Sequence, residues 1–162
     1  MVRFKDFDLW SALVIILLTI YLSALAFTDK HVFDFYLGSL SFNHWLSWIG
    51  GLWIAFVTPI YFVLKKYRSK RIKALLRIHV FGNLVAFMLI SIHFSFQITS
   101  VSRIGTGLAL FIALLTLVVT GFLQRFNIMR SSKRYIKFLH VSMTTAFYLI
   151  LIIHILGTLI IL

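Results

Sequence analysis

The chain has 162 residues, 61% of them hydrophobic and 12% charged, with a mean hydropathy of +1.01. A soluble domain is about half apolar and about a quarter charged, so this composition marks an integral membrane protein of one domain's length. The net charge of +12 does not imply a nucleic-acid partner, because the lysines and arginines gather beside apolar runs, where membrane topology explains them. There is no cysteine, which excludes disulfides, iron–sulfur clusters and thiol chemistry. The acids are Asp6, Asp8, Asp29 and Asp34 alone, all expected outside the spans, which leaves no carboxylates for acid–base work or a proton relay in the membrane.

Five apolar runs are long enough to cross a bilayer as helices, and none shows the alternation of a barrel strand. The first, at 9–27, follows a short polar lead with Arg3 and Lys5. Its end, Ala24-Leu25-Ala26, resembles a signal-peptidase site, but the run reads as a retained helix. A loop from Thr28 to His44, rich in aromatics, suits an interface. The second span, 45–64, opens on Trp45, Trp48 and Trp53, an interfacial aromatic belt, and contains the only proline, Pro59, which is expected to kink it. The basic run Lys65–Lys73 precedes the third span, 74–98. A short loop with Ser100, Ser102 and Arg103 leads to the fourth, 106–123. A second basic loop, Gln124–Lys137, leads to the fifth, 135–161.

Counting lysine and arginine in alternate loops puts fourteen on one side and two on the other. Positive residues stay inside, so the N-terminus is expected in the cytoplasm and the C-terminus outside. The fold class expected is an all-α bundle of five transmembrane helices forming a single domain, 1–162. This is a multi-pass protein of a cell (plasma) membrane, expected of a prokaryote, with membrane lipid as its surroundings. Spans three and five then run parallel.

Those two spans carry the chemistry. His79 and His93 are fourteen residues apart in one, and His140 and His154 are fourteen apart in the other. Fourteen steps bring a helix back to within about 40° of its start and advance it by about 21 Å. Each pair therefore shares a face, one histidine near either leaflet, and the parallel spans match His79 in depth with His140 and His93 with His154. Isolated intramembrane histidines often do no more than hydrogen-bond across a bundle. Recurrence at one spacing and at matching depths points instead to metal ligation by neutral imidazole. Zinc or copper wants three or four ligands at one depth, with carboxylates or thiolates among them, and two per depth are too few. Two per depth do suit the axial positions of two haem b irons, His79 with His140 on the inner side and His93 with His154 on the outer. No Cys-x-x-Cys-His is present for covalent attachment.

Between the ligands, Gly82, Asn83, Ala86 and Ile90 share roughly one face of span three, and Met143, Thr144, Phe147 and Leu151 one face of span five. Gly82 and Ala86 are small enough to admit a flat macrocycle. Phe147 lies midway between the two depths. Arg77, Arg134 and Lys137 inside, and Arg103 outside, are candidates to pair with haem propionates. His31 and His44 in the first loop read as solvated or interfacial.

Bis-histidine pairs on the third and fifth helices with one helix between them resemble the ferric reductase-like transmembrane domain. That superfamily includes the ferric reductases, the NADPH oxidases and a bacterial haem subunit of methionine sulfoxide repair. Gly105 to His154 is the closest part: a Leu-rich helix ending in Val118-Val119-Thr120-Gly121, a basic loop, then Leu139-His140. The ligand pattern is also similar to the cytochrome b of quinol-oxidising bc complexes. The resemblance implies two haem b groups and electron transfer across the membrane. The family commonly has six helices where five are counted here. Its oxidase and reductase members append flavin and nicotinamide domains, whereas this sequence has no Gly-rich phosphate loop. Electrons are then expected from a quinol or a separate redox protein, with the chain as a subunit of a larger membrane complex rather than a complete enzyme. A stand-alone ferric or quinone reductase is the nearest rival. A histidine-lined transporter and a structural membrane anchor are the readings outside redox chemistry.

Overall fold

The computed structural model describes residues 4–67, 71–98 and 104–161. Five long helices make up most of them: α1 (Phe4–Thr28), α2 (Phe42–Lys66), α3 (Ile72–Gln97), α4 (Ile104–Phe126) and α5 (Lys133–Ile161). All five contain a stretch long and apolar enough to cross a membrane, the first being Asp6–Thr28. The protein is an all-α, multi-pass membrane helical bundle. The chain divides into two compact units, Met1–Gln97 and Ile98–Leu162.

In the first unit α3 packs against both α1 and α2. Lipid removes the usual hydrophobic drive for helices to associate, so close backbone approach over small residues takes its place. α1 buries Ala12, Thr19 and Ala26 completely or nearly so, at intervals of seven that keep them on one face. Ala26 joins Leu46 of α2 and Ile92 of α3 in a small core, flanked by Leu22, Phe33, Phe42, Met88 and Leu89. The outward faces of the helices stay apolar, with Leu17, Phe56, Phe62 and Ile60 among many exposed side chains, as a helix in hydrocarbon requires.

α1 begins at Phe4, five residues before the apolar run, and so takes in two acids expected outside the spans. This is a correction to the sequence reading, and its cause is Arg77. Asp8 Oδ1 lies 3.3 Å from Arg77 Nη2, and the Asp8 side chain is only 5% exposed. An apolar window does not see an ion pair that neutralises a carboxylate 69 positions from its partner. The pair also puts the N-terminal ends of α1 and α3 at one level. Asp8→Asn keeps the shape and removes the charge opposite the guanidinium. Arg77 remains 46% exposed, so the expected loss is about 1 kcal/mol, between an exposed pair and a buried one. Thermal unfolding in detergent, with Arg77→Gln and the double variant closing the cycle, checks it.

The loop after α1 is more ordered than the sequence suggests. A 3-10 turn, Lys30–Phe33, is capped by Asp29, whose Oδ1 accepts from the His31 N–H at 3.1 Å. A minimal hairpin follows, β1 (Tyr36–Leu37) against β2 (Leu40–Ser41), with Leu37 opposite Leu40. Its two-residue turn needs Gly38 at φ +68, a left-handed angle that glycine adopts without strain. The Trp45 indole N–H donates to the Leu37 carbonyl, tying the hairpin to α2. α2 then runs unbroken through Pro59 to Lys66.

The second unit is an antiparallel pair, α4 against α5. α4 ends at Asn127, whose φ of 56 is left-handed, while the Ile128 N–H returns to the Leu123 carbonyl. That six-to-one bond is a Schellman stop, with asparagine in glycine's place.

Candidate functional site

Two of the four intramembrane histidines fall in each unit. In the first unit, α2 and α3 run antiparallel in a register that the contacts fix along their length: Asn43 by His93, Gly50 by Ala86 and Ile90, Trp53 by Gly82, Tyr61 by His79. His79, half-buried, stacks its ring on Tyr61 with centroids 4.4 Å apart and planes 13° apart. One turn on, Asn83 Nδ2 lies 3.3 Å from His79 Nδ1 and 3.4 Å from Thr58 Oγ1. Asn83 Oδ1 is buried with no hydrogen-bond partner. The two amide ends have the same shape, and exchanging them makes Oδ1 the acceptor for Thr58 and for a His79 Nδ1–H.

His93 is settled by its partner. Nδ1 lies 3.1 Å from the Asn43 carbonyl oxygen, which can only accept. The proton is therefore on Nδ1, and in the neutral ring Nε2 carries the lone pair. The His44 ring stands edge-on to His93 at 5.8 Å, its own Nδ1 2.6 Å from Ser41 Oγ. The sequence reading set His44 apart as an exposed loop residue. It is exposed, but it opens α2 beside a candidate ligand. Asn43 is 1% exposed, and neither side-chain polar atom has a partner.

In the second unit both α5 histidines face threonines of α4. Thr120 Oγ1 lies 2.8 Å from His140 Nδ1, and Thr106 Oγ1 lies 3.0 Å from His154 Nδ1. Thr120 keeps its one hydroxyl proton on its own helix, 2.7 Å from the Thr116 carbonyl and 3.2 Å from that of Leu117. Its oxygen can then only accept from histidine, so His140 also carries its proton on Nδ1. Behind each ring is a glycine. A Cβ on Gly121 would stand 3.3 Å from His140 Cε1, and one on Gly107 would stand 3.7 Å from His154 Cε1. Thr106-Gly107 and Thr120-Gly121 are the same dipeptide, fourteen residues apart, matching the histidine interval in reverse. The sequence reading quoted Thr120-Gly121 only as the end of a helix and did not pair it with Thr106-Gly107 or with the histidines. It followed ionisable residues, and the signal was a repeat of two small residues at the interval already in hand.

The remaining candidates are dispersed. Gly82 packs on Trp53: a Cβ there would stand 2.3 Å from the indole. Ala86, 2% exposed, turns its carbonyl toward Gly50. Both serve the approach of α2 to α3. Phe147 is 1% exposed and meets Tyr148 edge-on. Thr144 donates to the His140 carbonyl. Arg77 is engaged by Asp8, while Arg134 and Lys137 are exposed at the start of α5. Arg103 lies outside the described residues. Among the described residues no three His, Cys, Asp or Glu side chains gather as a metal cluster. Compared with family models, with curated proteins and with solved structures, the chain gives no match.

Proposed function

We propose that the chain is a membrane b-type cytochrome that carries electrons across the bilayer on two bis-histidine haem b groups. His79 and His140 would hold the inner haem, and His93 and His154 the outer, as the sequence register pairs them. The reading resembles the ferric reductase-like transmembrane domain and rests on no match to it. One observation carries it: two histidine pairs at the same interval, each imidazole held through Nδ1 by a protein atom. Metal-ligating histidines characteristically fix their second nitrogen this way, which sets the ring's orientation and basicity.

The residues fit the group. His93 and His140 carry the proton on Nδ1 and so offer Nε2 as donor, as an axial ligand must. His79 offers it in the exchanged orientation of the Asn83 amide, which also pairs the buried Oδ1. Haem iron would supply one-electron redox chemistry when bound. The chain's own part is to hold the rings and keep the surroundings apolar. The donor is a quinol or a cytoplasmic redox protein. The acceptor is an outer-side partner, with the chain a subunit of a redox complex in a prokaryotic plasma membrane. Purified protein should give a pyridine haemochrome of the b type at two haems per chain, with a low-spin bis-histidine signal. Stoichiometric protein without a Soret band would return the histidines to helix packing.

A further inference from the structure

We infer that the repeated Thr-Gly step of α4 is a built positioning device: Thr120 and Thr106 hold the rings of His140 and His154 and set their proton on Nδ1, while Gly121 and Gly107 leave room for the ring edge. It deepens the cytochrome reading, and its link to haem rests on that reading.

Four observations within one unit carry it. The threonines sit fourteen residues apart on α4, as the histidines do on α5, and each meets its histidine through Oγ1 and Nδ1, at 2.8 and 3.0 Å. Each is followed by a glycine whose missing Cβ faces the Cε1 of that same ring, at 3.3 and 3.7 Å. Thr120 is 4% exposed, so no water competes for its oxygen. Its proton stays within its own helix, with the Thr116 carbonyl at 2.7 Å and the Leu117 carbonyl at 3.2 Å, the back-bonds that threonine makes in apolar helices. A hydroxyl whose proton is spent within its own helix becomes a pure acceptor, and the histidine must donate. Thr106 lies in the first turn of α4. The same device explains the spacing, because a helix pair can repeat a donor–acceptor contact only where both helices return to the seam together.

The glycines give the steps unequal tolerance. A Cβ at 3.3 Å from His140 Cε1 must push the ring by a few tenths of an ångström, whereas 3.7 Å from His154 is ordinary contact.

The experiment labels histidine with carbon-13 and nitrogen-15 in full-length protein, stripped of any haem, in lipid nanodiscs. Solid-state shifts report the tautomer of each ring, and His140→Ala and His154→Ala assign them. Wild-type His140 should show the Nδ1–H form. Thr120→Val, which keeps the shape and removes the hydroxyl while leaving the Leu117 carbonyl beside the ring, should move part of it to the Nε2–H form that free imidazole prefers. Thr120→Ser should restore it. Thr106→Val should alter His154 alone. Wild-type His140 as Nε2–H, or no change on Thr120→Val in protein that still folds, overturns the inference. The haem arm is separate. In protein that holds haem, Thr120→Val should weaken haem retention about tenfold, the usual cost of losing such a support, and raise the potential of one haem only. Gly121→Ala should shift the low-spin resonance, and Gly107→Ala should not. Wild-type protein without haem sinks the cytochrome reading and leaves the tautomer result to decide this one.

Discussion

His79→Ala and His140→Ala should each lose one haem of two, and the same one; His93→Ala and His154→Ala should each lose the other. The expectation follows from bis-histidine ligation, in which one missing imidazole leaves an iron with a single protein bond and a half-formed, low-affinity site. Haem content should fall by half in every single variant. The discriminating quantity is identity. The α-band and potential that survive in His79→Ala should coincide with those in His140→Ala, and differ from those in the other two. His79→Ala together with His140→Ala should look like either alone, since both sides of one site are then gone. His79→Ala with His93→Ala should be haem-free. A loss that grouped His79 with His93 would overturn the pairing by depth, because fourteen residues of helix hold the two about 21 Å apart, too far to share an iron. Full haem in all four variants would end the assignment of these four histidines as its ligands.

The spans were legible because apolar runs of about twenty residues have one physical meaning. Their ends were not. All five helices start two to five residues before their apolar runs, and α4 ends three residues after its own; two of these departures have a local cause that hydropathy averages away. For α1 it is the Asp8–Arg77 pair; for α4 it is Asn127, which closes the helix after Phe126. The hairpin after α1 went unread because two-residue strands leave no period to find, and Gly38 alone is a weak turn signal. The candidate ligands were legible because an ionisable side chain in a hydrocarbon span is costly enough to stand out. Their supports were not, for the converse reason. Threonine satisfies its hydroxyl on its own helix and glycine adds nothing polar, so neither raises the cost that drew attention to histidine.

Gly50→Val should destabilise the first unit by about 3 kcal/mol or more, the upper end of what overpacking costs. A Cβ at position 50 would lie 2.9 Å from the Ala86 carbonyl oxygen and 2.9 Å from Ile90 Cγ1. Ile90 can turn, but the carbonyl belongs to the α3 backbone and moves only if the helices separate. Separation also breaks the bond from His93 to the Asn43 carbonyl and the stack of Tyr61 on His79, because one register holds all of them. Gly82→Ala makes the instructive comparison. Its Cβ would run closer still, 2.3 Å from the Trp53 indole, yet that indole is 39% exposed and can swing toward lipid. The cost should be about 1 kcal/mol, less than half that of Gly50→Val despite the shorter distance. Unfolding in a detergent titration, followed by tryptophan fluorescence, ranks the two, and Trp53 should report its own displacement only in Gly82→Ala. The comparison also separates two roles for Gly82. A glycine kept for Trp53 loses stability in haem-free protein when it gains a methyl group. A glycine kept for a macrocycle loses haem instead, with haem-free stability unchanged.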